Sequence, residues 1–159
     1  MKKKEGWPEL MNAHIRAVRK QPFAAGTFDC CLFAADCVQA MTGEDPAADF
    51  RGKYSTMEGA IAALKEFSGG GLLETMLLLA ERFGWEKIDH RYKAQRGDIV
   101  MGNPKVLVGD YDMDGSMGIC CGPICVFVGD QDLKAVSTIE NKGAEPTILH
   151  VWHIPVARD

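Results

Sequence analysis

From Cys30 to Thr42 the chain reads CCLFAADCVQAMT, a run in which Asp36 and Gln39 are the only charged or amide side chains. A helix that is apolar nearly all round has no face to give to water, so this one is predicted to lie buried in the middle of the fold. Both ends are marked. Asp29 stands where a carboxylate can accept the unpaired N–H groups of a first helical turn, and Gly43 stands where a left-handed residue ends a helix. Cys30 is then the first helical residue, at the positive end of the helix dipole, which favours a thiolate over a thiol. Without that cap Cys30, Cys31 and Cys37 would read simply as small apolar core residues; with it, Cys30 becomes a candidate nucleophile.

The other elements arrange themselves around this helix. Trp7 to Arg19 is amphipathic, with Trp7, Leu10, Met11, Ile15 and Val18 on one face, and its predicted partner is the cysteine helix. Ser55-Thr56-Met57-Glu58 reads as a capping box opening a helix that runs to about residue 67, where Ser68-Gly69-Gly70-Gly71 breaks it. Leu72 to Phe83 gives a further helix, ended by Gly84. From Trp85 onward the apolar runs are short and β-branched, with Gly, Asp and Asn between them, and strands are predicted at 86–89, 98–102, 105–108, 117–121, 124–129, 133–138 and 148–154. Helices first and strands second predict an α+β fold, with N-terminal helices packed on a C-terminal antiparallel sheet. A length of 159 residues with 47% hydrophobic composition suits a single domain over 1–159.

The segment Gly26-Thr27-Phe28-Asp29-Cys30-Cys31-Leu32-Phe33 resembles the Gly-x-x-Asp-Cys-(Ser/Cys)-x-(Leu/Phe) segment of NlpC-type cysteine peptidases, and more closely that of their divergent relatives from phage and prophage tails. Arg96-Gly97-Asp98-Ile99-Val100 is similar to the strand entry that follows the helical half in that family, and Ser116-Met117-Gly118-Ile119 to the His-Val-Gly-Ile strand that carries its general base. The resemblance implies a papain-like fold in which Cys30 is the nucleophile, Asp29 its helix cap, and position 116 the base. That position is a serine, whose hydroxyl is too weak a base to take a proton from a thiol at neutral pH.

A formal charge of −4 argues against nucleic acid as a partner, since phosphate binding needs a basic surface. No apolar stretch reaches the 18 or so residues of a membrane span, and Gly6-Trp7-Pro8-Glu9 follows the opening lysines where a signal peptide would be apolar, so neither membrane insertion nor export is predicted. Six cysteines without an export signal are expected to be reduced thiols. Their positions in a buried helix and in strands do not fit the two knuckles of a zinc site, and no metal or other cofactor is predicted. Asp110-Tyr111-Asp112-Met113-Asp114-Gly115 begins like a calcium loop but has Cys121 where the twelfth-position glutamate belongs, so it reads as a solvated hairpin turn.

Four histidines are available as bases. His14 sits on the more polar side of the first helix and reads as a surface residue, while His90 lies in a charged linker. Alternation in the last strand puts His150 on the face of Trp152 and His153 on the other. His150 is the first choice among them, because it lies on a late strand.

Two functions follow from the resemblance. One is a structural or assembly component near the tip of a phage tail, catalytically impaired, whose partners are other tail proteins; it is made in the cytoplasm and carried in a virion. The other is an active thiol hydrolase in which Cys30, helped by a histidine, cleaves amide bonds in cell-wall peptides. A cytoplasmic thiol- or metal-binding protein built on the paired cysteines is a third reading.

Overall fold

The computed structural model describes residues 1–107, 113–138 and 145–158. Four helices lead: α1 (Trp7–Val18), α2 (Cys30–Thr42), α3 (Met57–Ser68) and α4 (Leu72–Phe83). Six strands follow: β1 (Glu86–Ile88), β2 (Ile99–Gly102), β3 (Ser116–Cys120), β4 (Ile124–Val128), β5 (Leu133–Ser137) and β6 (Ile148–His153). They form one antiparallel sheet in the order β1-β6-β2-β3-β4-β5. The fold is α+β, with the helices ahead of the sheet in sequence and packed on it.

Helix α2 is the central member. It packs against α1 on one side and β3 on the other, and eight of its thirteen residues are buried. Its apolar circumference is why: Met11 of α1, Phe33 and Met41 of α2, and Ile119 of β3 are all sealed from solvent within one core. Alternation along the strands then fixes which face of the sheet meets the helices. Ile99, Met101, Met117, Ile119 and Trp152 point into that core, and the intervening Val100, Cys120, Phe127 and Val151 form a second, smaller cluster on the far face.

The helix ends follow their sequence signals with two adjustments. Gly43, Gly69 and Gly84 close α2, α3 and α4 in the left-handed conformation, at φ of 85°, 77° and 70°. The cap of α3 is Thr56 rather than Ser55: its side chain accepts the Gly59 N–H, and Glu58 makes no return bond. The reciprocal bond belongs to α4, where Glu74 accepts the Gly71 N–H at 2.9 Å. Helix α4 is also capped from a distance. Asp114, just before β3, accepts the N–H groups of Leu72 and Leu73 at 2.9 and 3.1 Å.

The strand expected at 105–108 is instead a turn of helix, Pro104–Leu107. Proline favours the first helical position, and Asn103 holds the turn by accepting the Lys105 N–H on its side chain and the Leu107 N–H on its carbonyl. The end of that expected strand and the start of the calcium-like loop, Asp110 to Asp112, lie outside the described residues. His14 is half-buried with its ring stacked 6.4 Å from Phe33, not free on the surface. Among the described residues no helix is long and apolar enough to cross a membrane.

On the far side of the sheet Asp98 is fully buried and accepts the Gln95 N–H at 2.8 Å. Its other oxygen lies 2.7 Å from Nδ1 of His153 and 3.9 Å from the buried ammonium of Lys3. Burial pulls the Lys3 pKa down and Asp98 opposes the shift. The backbone of Lys3 bonds to residues 155 and 157, so this network pins the first residues beside the last.

Two substitutions separate core from cap. Phe33→Ala is expected to lose about 3–5 kcal/mol of stability through the cavity it leaves, and Asp114→Ala about 1 kcal/mol through the freed helix donors. Urea midpoints, with an unchanged denaturant slope, measure both.

Candidate active site

The mouth of α2 is built around the Asp29 carboxylate. Asp29 has extended backbone, and its oxygens accept three hydrogen bonds: from Leu32 N–H at 2.9 Å, from Gly26 N–H at 2.9 Å, and from the Tyr54 hydroxyl at 2.6 Å. One bond caps the helix, and the other two tie down the approach to it. Gly26 is required there, because it sits at φ 79° and a Cβ would fall 2.0 Å from the Tyr54 carbonyl oxygen. A buried carboxylate held by three donors is fixed in place and positions its neighbours.

Cys30 begins the helix and is 5% exposed. Its sulfur lies 3.9 Å from that of Cys31, and the Cys31 thiol is the main donor that draws the Cys30 pKa below the ordinary cysteine range. Burial opposes the shift, while the Met117 N–H and the Ser116 hydroxyl add to it. The same contact and its own burial push Cys31 well up, opposite to Cys30. Tyr54 stays protonated, raised by burial and by its bond to Asp29. Cys30 is thus the thiol of the pair whose charged form is favoured, at the first turn of α2.

Of the four residues singled out in the sequence, three meet here. Asp29 caps the helix, Cys30 opens it, and Ser116, the first residue of β3 and 4% exposed, is near enough to help lower the Cys30 pKa. His150 stands apart. It pairs with Met101, which pairs in turn with Met117, so it lies two strands from the sulfur's neighbours, or roughly 10 Å at the usual strand spacing. Its ring is 6.0 Å from Trp152, and burial together with Lys87 lowers its pKa, leaving a neutral imidazole at pH 7. Among the described residues no imidazole is hydrogen-bonded to Cys30.

Tyr54, Cys31 and the Met117 N–H were not singled out in the sequence as parts of the site. Tyr54 is 25 residues from its partner Asp29, and only the glycine at 26 hints that another segment comes close. Behind the sulfur lies a cavity of about 70 Å³, lined by Cys30, Cys31, Leu64, Met76, Trp85 and Met117 among others. Its wall is almost wholly apolar. Among the described residues no group of three His, Cys, Asp or Glu side chains is placed to hold a metal ion.

The family model of a domain of unknown function, DUF6950, matches residues 2–144. No curated protein and no solved structure matches the chain.

Alkylation resolved by residue tests the sulfur's state. The rate at Cys30 follows its thiolate fraction, rising with pH and levelling above its pKa; the expected midpoint is below the value of about 8.5 for free cysteine. Ser116→Ala, which removes one donor, moves that midpoint upward. Cys121, raised to about 11 by burial, stays slow throughout.

Proposed function

The chain belongs to the DUF6950 family, and we propose that within it this protein keeps an NlpC-type, papain-like fold around a cysteine nucleophile that has lost its general base. The observation that carries the reading is Cys30, its pKa lowered at the mouth of α2 with Ser116 among the causes, and with no imidazole hydrogen-bonded to it among the described residues. A helix bringing a cysteine against the first residue of a strand is the arrangement that the sequence resemblance implies.

The chemistry follows from the donors. A thiolate here can attack a carbonyl carbon, and the Met117 N–H and Ser116 hydroxyl, which help lower the Cys30 pKa, are the candidate donors to the charge that develops. What the site lacks is a group to hand a proton to a leaving amine and to activate water afterwards. In Ser-His-Asp triads loss of a triad member costs about 10⁴- to 10⁶-fold in rate, and a Cys-His pair depends on its base for the same proton transfers. Amide hydrolysis should therefore be vestigial. The role that fits is structural or assembly-related, in a phage or prophage tail among other tail proteins, with the peptidase scaffold kept as a framework or peptide-binding groove.

One observation favours the alternative of an active hydrolase on cell-wall peptides. His150 is on the helix-facing side of the sheet, paired with Met101 and beside Trp152, and so is on the same side of the sheet as Cys30.

Muropeptide hydrolysis separates the two. The wild-type protein is expected to give no turnover above background, and Ser116→His to gain turnover that Cys30→Ser abolishes. Wild-type turnover that is lost in both Cys30→Ser and His150→Ala would instead establish the hydrolase.

A further inference from the structure

The cavity behind Cys30 bears on what the sulfur reacts with. It lies between α2, α3, α4 and the sheet, and its walls include Val38, Leu64, Leu79 and Ile99. Two features limit its occupant.

The first is size. At about 70 Å³ it is close to half the roughly 150 Å³ of an apolar cavity that admits benzene, so it holds about three carbon atoms. The second is polarity. The polar groups on its wall are already partnered: Thr75 donates to the Gly71 carbonyl at 2.9 Å, and Asp29 holds its three donors. Trp85 Nε1 is the exception, a buried N–H without a partner. No Lys, Arg or His lines the cavity, and Asp29 would repel an anion. A carboxylate-bearing chain would enter without a counter-charge, at a large desolvation cost.

Resting on the reading of Cys30 as a nucleophile, we propose that this cavity is an acyl-chain pocket and that Cys30 is acylated by short, uncharged aliphatic acyl thioesters of about butyryl length. The site suits that leaving group. The Cys30 thiolate attacks the thioester carbonyl carbon and forms a new C–S bond; the old C–S bond breaks, and the donor's sulfur departs as a thiolate with its electron pair. No proton has to be delivered, so the missing base is no obstacle to this step. The chain of the acyl group then lies against Leu64 and Met76, out of water, where burying its methylenes is favourable.

Intact-mass kinetics with N-acetylcysteamine thioesters test it, using acetyl, butyryl, octanoyl and glutaryl donors, with iodoacetamide as a probe of the sulfur alone. Butyryl transfer to Cys30 is expected to be at least about tenfold faster than octanoyl or glutaryl transfer. Ala60→Leu, which narrows the pocket, should cut butyryl transfer by a similar factor and leave iodoacetamide labelling within about twofold. Leu64→Ala, which widens it, should shift the preference toward octanoyl. Rapid iodoacetamide labelling with equal transfer from all donors, with glutaryl as fast as butyryl, or with no transfer at all overturns the pocket and leaves the nucleophile standing. Slow labelling of Cys30 by iodoacetamide overturns both.

Discussion

The three hydrogen bonds to Asp29 are the constraint on which the rest of the site depends. They join the turn at Gly26, the first turn of α2 and the loop that carries Tyr54 into one rigid corner. Because α2 is buried on nearly all sides, that corner sets the position of Cys30 relative to β3 as well as the start of the helix. A carboxylate accepting three bonds in a buried site is locked in place, and so is what it holds. The sheet answers from the other side with Ser116 and Met117.

Electrostatics and chemistry diverge at this point. The donors around the sulfur favour its charged form, and charge is what a nucleophile needs. Turnover needs more, since a proton must leave and return within each cycle. The Cys31 pKa is pushed well up, and Ser116 cannot accept a proton at neutral pH. His150 and His153 are engaged elsewhere, one beside Trp152 and the other on Asp98 across the sheet. The site is thus better built for a single covalent step with a good leaving group than for repeated amide cleavage.

Much of the framework was legible from short-range signals. Asp29 and Gly43 mark the ends of α2, and alternation in the last strand sorts His150 from His153, because caps and pleats act over a few residues. What escaped was long-range. Asp114 caps α4 from 42 residues away, Tyr54 reaches Asp29 from 25, and a cavity belongs to four elements at once. The turn at Pro104–Leu107 departs from the expected strand because its apolar residues carry no period, and the deciding contact is Asn103 just before it. His14 looked like a surface residue because its helix face could not be ranked against Phe33 before the packing was known.

The charge of one sulfur decides what the site can do. Ultraviolet thiolate absorbance, titrated in the native protein and in Cys30→Ser, gives that charge as the difference between the two curves. A difference midpoint below about 8.5 is the predicted result; a midpoint at or above the free-cysteine value would contradict it, leaving Cys30 as a packed core thiol.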